Sequence, residues 1–183
     1  MTQFETHSIE TAPEGSKKIL EGATAKFTFL PNLLGKMAEA PATLEAYTTL
    51  AGIFDKADLS ATERQVIMMT VNRLNGCTYC MAAHSKISKM TGVADVVIEA
   101  LRNNTAISDP KLEALRQFTI VMHDTRGWPT DESVEAFLAA GYTKQTMLEV
   151  VLGISYKTIS NYTNHLAQTP VDDAFSADVW ESA

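Results

Sequence analysis

Cysteine is scarce in this chain, with two in 183 residues. A hydrophobic share of 45% against 20% charged is ordinary for one soluble domain that builds a full core without covalent staples, so the cysteines are not there to rescue a small fold. Basic clusters are missing too. The 15 Lys and Arg are scattered and outweighed by 22 Asp and Glu, giving a net charge of -7 and a pI near 5.1. Phosphate binding needs a concentrated basic footprint, which argues against nucleic acid as a partner. No apolar run approaches the ~20 residues a membrane span requires. The stretch Met1 to His7 has neither the basic nor the apolar region of a secretory leader, so a reducing cytoplasm is the expected setting. Sustained period-two alternation is absent, so no strands are expected. Without a Gly-rich dinucleotide fingerprint, electrons for any redox chemistry must come from a separate thiol partner.

What is present is the punctuation of helices. Pro31 and Pro41 stand where helices can begin, and after Pro41 the residues Leu44, Tyr47, Leu50, Ala51 and Phe54 recur at helical spacing. Ser60 and Glu63 form a capping box that opens a helix over 61–74, and Asn75-Gly76 breaks it. The cysteine segment follows and runs to Thr91-Gly92. Further helices are expected over 94–102, 110–125, 131–140 and 144–167, the last capped by Thr143. The expectation is an all-α single domain, a compact bundle of about seven or eight helices. Residues 1–14 read as a flexible N-terminus, and 170–183 as an extended tail whose Phe175 and Trp180 dock on the body or on a neighbouring subunit. Met68, Met69, Met81, Met90 and Met147 are expected in the core.

The two cysteines stand as Cys77-Thr78-Tyr79-Cys80, with His84 four residues on. On a helix the positions i, i+3 and i+7 share a face, which brings two sulfurs and an imidazole into one side-chain layer. A nucleophilic thiol must be a thiolate, and an ordinary cysteine is only a few per cent ionised at pH 7. Cys77, just after the turn, should feel the field of a helix N-terminus, worth up to ~2 kcal/mol. Cys80 lies one turn deeper and needs a base, for which His84 is the candidate. Against peroxide, one thiolate would attack the distal oxygen and become a sulfenic acid, and the other cysteine would condense with it to a disulfide.

Other readings of the same residues stay open. Cys77, Cys80 and His84 supply three metal ligands with His123 or His165 as a distant fourth, although a single CxxC is a weak zinc signal. A dithiol can also register redox state without turnover, and His123 and His165 are otherwise expected to be structural. Tyr79 either lines a substrate pocket or packs.

The run from Leu59-Ser60-Ala61-Thr62-Glu63-Arg64 through Asn75-Gly76-Cys77-Thr78-Tyr79-Cys80 to Ala83-His84-Ser85 resembles the alkylhydroperoxidase D-like branch of the carboxymuconolactone decarboxylase family. The resemblance extends to Phe29-Leu30-Pro31-Asn32 and to Asn161-Tyr162-Thr163-Asn164-His165-Leu166. It implies an all-helical, oligomeric peroxidase that uses no haem, flavin or metal and is re-reduced by an external thiol or dithiol protein. It also implies that Cys80 attacks the hydroperoxide, Cys77 resolves it and meets the reductant from its more exposed place at the turn, and His84 shuttles the proton. Peroxidases of this family carry a relay glutamate twelve residues before the first cysteine, where this chain has Gln65. An amide orients a water or an imidazole but takes up no proton at neutral pH. Ring-lactone decarboxylation, the activity in the family's name, is the less favoured alternative, since that branch is expected to lack the dithiol.

Overall fold

The computed structural model describes residues 3–181. Among these the chain is all helix and loop. In order come α1 Glu14–Phe27, α2 Asn32–Met37, α3 Pro41–Phe54, α4 Ala61–Leu74, α5 Thr78–Met90, α6 Asp95–Asn103, α7 Pro110–Asp124, α8 Asp131–Ala139 and α9 Lys144–Ala167, followed by a 3-10 turn, Asp173–Asp178.

Local chemistry sets most boundaries. At α4 both capping-box bonds form: Glu63 N donates to Ser60 Oγ at 3.2 Å, and Ser60 N to the Glu63 carboxylate at 2.8 Å. Asp109 caps α7 by accepting from Lys111 N and Leu112 N, and Thr143 caps α9. Gly76, at φ +64°, takes the left-handed conformation that lets the chain reverse between α4 and α5.

Helix α4 is the centre of the bundle and packs on α5, α7 and α9. Gln65 to Asn72 are buried without a break, so α4 has no solvent face along its middle. Two apolar clusters flank it. One gathers Phe54, Ile67, Met69, Ile98, Leu115 and Phe137; the other gathers Leu20, Leu33, Leu34, Met37 and Leu44 around both cysteines. Each fully buried side chain of this size contributes ~1.5–3 kcal/mol by leaving water. Helix α9 lies very close to α4 and α3 at Gly153, where an added Cβ would stand 2.7 Å from Ile67 Cγ2 and 3.0 Å from Phe54 Cζ.

Three expectations are corrected. The N-terminal stretch is tied to the body from Phe4 onward, where Lys36 Nζ donates to Phe4 O, and is not a free arm, with Met1 and Thr2 outside the described residues. His7 N donates to Gly35 O at 3.1 Å, His7 Nε2 lies 2.8 Å from Glu39 Oε2, and Ala12 is buried. Helix α1 had no sequence signal because Pro13 caps it without a side-chain bond and its apolar face is thin, with Ser16 and Leu20 buried. The tail is a 3-10 turn and not extended, and Phe175 and Trp180 dock on this chain's own body; Ser182 and Ala183 lie outside the described residues. Met90 is 76% exposed, at the end of α5 beside the Gly92 reversal, and so is not a core residue.

Candidate active site

Cys77 is the N-cap of α5, and its sulfur accepts from Cys80 N at 3.4 Å. Both sulfurs are buried, each cysteine 1% exposed, which corrects the expectation of a more exposed Cys77. The turn folds under α2 and the C-terminal segment, which cover it. Both cysteines are free thiols. Cys80 Sγ receives Asn164 Nδ2 at 3.1 Å and lies 3.8 Å from Ser160 Oγ, while the same Asn164 amide is 3.7 Å from Cys77 Sγ.

These contacts separate the two thiols. Burial works against a charged Cys80, but the Cys77 thiol, the Lys157 ammonium and the Ser160 hydroxyl together carry its pKa well below the ordinary 9.0. Cys77 moves the other way, because its thiol bonds to Cys80, because it is buried, and because Cys80 carries charge. The helix-terminus argument alone favours Cys77. It loses because the Cys77 thiol's bond to Cys80 and its burial outweigh the helix-terminal N–H that its sulfur accepts, while the donors of α9 converge on Cys80.

The ring nitrogens of His84 are directed away from Cys80. The imidazole lies between Gln65 Oε1, 2.9 Å from Nδ1, and Lys157 Nζ, 2.9 Å from Nε2. Lysine only donates, so Nε2 accepts and Nδ1 carries the proton toward the Gln65 carbonyl. Burial and the Lys157 charge hold its pKa well below 6.5, so the ring is neutral at physiological pH. Among the described residues no hydrogen bond joins His84 to either sulfur. Cys80 and His84 share a face of α5, but the sulfur points to Ser160 and Asn164 and the ring to α4 and Lys157. Gln65 is therefore part of the constellation and fixes the tautomer, whereas Glu63 stays in its capping box.

Lys157 is the residue that the sequence reading missed. It is fully buried, stands over the Tyr156 ring at 5.1 Å, and pairs with no carboxylate among the described residues. Removing an ammonium from water without a counter-charge costs several kcal/mol, and its charge is one of those that lower the Cys80 pKa. The signal was present in the spacing: Lys157, Ser160, Asn161 and Asn164 fall at i, i+3, i+4 and i+7 of α9, a polar face that is buried throughout. An amide chain backs it. Asn161 Nδ2 donates to Asn72 Oδ1 at 2.9 Å, Asn72 Nδ2 to Cys80 O at 3.3 Å, and Asn75 Nδ2 to Asn161 Oδ1 at 2.9 Å.

The distant histidines stay outside the site. His123 Nε2 lies 3.0 Å from Asn75 Oδ1, and His165 stacks on Tyr162. No group of three or more His, Cys, Asp or Glu side chains among the described residues is placed to hold a metal, so the zinc alternative finds no donor set. Tyr79, between the cysteines, packs: its hydroxyl donates to Asp172 Oδ2 at 2.5 Å and sits against Phe175. Asp172 also accepts from Asn32 N at 3.0 Å, so the C-terminal segment and α2 are tied over the start of α5. A surface cavity of about 420 Å³ opens beside Asn75 and Gly76, lined by Arg73, Arg116 and Trp180, and neither sulfur lines it.

An all-helical fold with a buried Cys-x-x-Cys at the start of a helix defines the class, and comparison with known proteins agrees. Residues 40–120, which carry the Cys77–His84 segment, match the Carboxymuconolactone decarboxylase family. Over nearly the whole chain the fold is that of the alkylhydroperoxidase core. The peroxidase-related protein of that core from Ralstonia eutropha JMP134 aligns at TM-score 0.82 and 18% identity, covering 96% of each chain. A peroxidase-related protein from Silicibacter sp. TM1040 aligns at TM-score 0.78 and 18% identity, covering 95% of each chain. The debrominase Bmp8 in complex with 2,3,4-tribromopyrrole aligns at TM-score 0.80 and 19% identity, covering 97% of this chain and 96% of that one. At such identities the likeness is one of fold. No curated protein matches the sequence.

Proposed function

We propose that this protein is a dithiol oxidoreductase of the peroxidase type, reducing hydroperoxides with Cys80 as the attacking thiolate and Cys77 as the resolving thiol. The observation that carries the reading is the unequal environment of the two sulfurs, with Cys80 held by Asn164 at 3.1 Å and Ser160 at 3.8 Å, and Cys77 farther from the same amide at 3.7 Å. The Cys80 thiolate attacks the distal oxygen, the O–O bond breaks, and two electrons pass from sulfur to the leaving alkoxide, which takes up a proton. Cys77 then displaces water from the Cys80 sulfenic acid, forming the disulfide.

The walls around the sulfurs are Leu33, Leu34 and Met37 of α2 with Phe175, so the preferred substrates are organic hydroperoxides over hydrogen peroxide. Regeneration takes two electrons and two protons from an external thiol or dithiol protein, which suits a reducing cytoplasm. Leu148, Val151, Tyr162 and Leu166 form an exposed apolar stripe on the face of α9 away from the site, and its partner in this reading is a second copy of the chain.

The test is mass spectrometry after one equivalent of cumene hydroperoxide. A Cys77–Cys80 disulfide in the parent, and a trapped Cys80 sulfenic acid in Cys77→Ser, support the reading. No modification of Cys80 overturns it. Disulfide formation without multiple turnovers, given excess dithiol reductant, would identify a redox sensor instead.

A further inference from the structure

The alkoxide released from an alkyl hydroperoxide needs a proton, and His84 is poorly placed to give it, since it is neutral with its one N–H committed to Gln65. The cysteines themselves offer no better donor, because the Cys77 proton is shared with Cys80 and is consumed later as water. On the dithiol's side of α9 stands a buried lysine, 2.9 Å from His84 Nε2, one turn before Ser160 and two before Asn164, which touch the Cys80 sulfur.

Resting on the hydroperoxide reading above, we infer that Lys157 is the general acid of this site, a catalytic residue that pairs with the Cys80 thiolate at rest and protonates the leaving oxygen. The balance is complete. Cys80–S⁻, ROOH and Lys157–NH3⁺ give Cys80–SOH, ROH and Lys157–NH2. When the disulfide is later reduced, the Cys80 thiol returns its proton to Lys157, restoring the ion pair. His84 is then a positioning residue. Its Nε2 takes one N–H of the ammonium and leaves the others for the sulfur and the departing oxygen, and Gln65 keeps that nitrogen unprotonated without adding charge.

A second observation marks where substrate sits. Asn164 Oδ1 is buried with no hydrogen-bond partner, although the Nδ2 of the same amide donates to both sulfurs. An unfilled acceptor beside the nucleophile calls for a donor, and the hydroperoxide O–H supplies one. Asn164 thus offers the substrate an acceptor next to the atom that attacks it.

The experiment compares single-turnover oxidation of Cys80 by cumene hydroperoxide and by perbenzoic acid in the parent, Lys157→Met and Lys157→Gln. A carboxylate leaves without needing a proton and an alkoxide does not, so only the first oxidant reads the acid. Each rate is normalised to the thiolate fraction obtained from the pH profile of methyl methanethiosulfonate labelling. The expected result is a loss of roughly 100-fold with cumene hydroperoxide and less than about 5-fold with perbenzoic acid, the ordinary range for removing a general acid. Equal losses with both oxidants, or none with either, would overturn the inference while leaving the peroxidase reading intact. Failure of the parent itself to be oxidised by cumene hydroperoxide would instead count against that reading. Thermal melts of both variants establish that they fold, which is expected because both remove a buried charge.

Discussion

Lys157 Nζ and His84 Nε2 lie 2.9 Å apart in a buried space, with the amine donating and the imidazole accepting. The histidine four residues after Cys80 therefore spends both ring nitrogens on Lys157 and Gln65. The charge that opposes the Cys80 thiolate comes from α9, a helix entered long after the cysteine motif in sequence.

Substituting Gln65→Glu places a carboxylate 2.9 Å from His84 Nδ1. An opposite charge favours the imidazolium, and protonated His84 can no longer accept from Lys157. The Cys80 thiolate then shares its counter-charge with a new carboxylate, and its pKa rises. We expect no gain in peroxidase rate, and a fall in thiosulfonate labelling of Cys80 near pH 7, read by mass spectrometry.

The labelling profile of the parent should place Cys80 far to the acid side of an ordinary thiol. Its pKa is lowered, so the reactive thiolate persists as pH falls from 9.0 and is lost only in the acid range. In Cys80→Ser the bond to Cys80 and the Cys80 charge that raise the Cys77 pKa are gone, so Cys77 should label at lower pH than it does in the parent, with burial alone still holding its thiol up.

Stability should fall on acidification below about pH 6.5. The folded pKa of His84 is depressed, so its contribution is fully present above the unfolded value of 6.5 and is lost as pH drops toward the folded value, where the unfolded chain alone binds the proton. Melting temperature followed from pH 7.5 to 4.5 measures this, and His84→Gln should flatten the slope across that window.

Gly153→Ala tests the helix contact that positions the site. The new Cβ would stand 2.7 Å from Ile67 Cγ2 and 3.0 Å from the Phe54 ring, so side chains or the helix must shift. Overpacking of this kind costs about 1–3 kcal/mol. Lys157 follows Gly153 by one turn on the same face, so peroxidase rate should fall as well as the chemical-denaturation midpoint.

Tyr79→Phe removes the donor to Asp172 and leaves a buried carboxylate with Asn32 N as its remaining partner in this contact. The expected loss is about 1–3 kcal/mol by urea unfolding. Cys77 labelling should quicken as the cover over the start of α5 loosens.

Much of the bundle was legible because its boundaries are chemical. Ser60 with Glu63, Asp109 before Pro110, and Thr143 each announce a helix start, and the structure uses all three. Helix α1 announces nothing, since Pro13 offers no capping side chain, and the stability of the N-terminal stretch comes from the distant contacts of His7 with Gly35 and Glu39. At the site, the cysteine spacing and His84 were readable because they share one helix. For Lys157 the spacing with Ser160, Asn161 and Asn164 marks a shared polar face but not its burial, which is decided by how α9 packs on α4 and α3 at Gly153.

The wide separation of these parts in the chain has a consequence for biosynthesis. Cys80 precedes its Ser160 partner by 80 residues, and Tyr79 precedes Asp172 by 93. A growing chain therefore displays both cysteines as ordinary, weakly ionised thiols while α9 is still being made. On the peroxidase reading, the acid-shifted Cys80 thiolate comes into being only when late-synthesised residues dock, which would withhold reactivity toward oxidants from nascent and half-folded molecules.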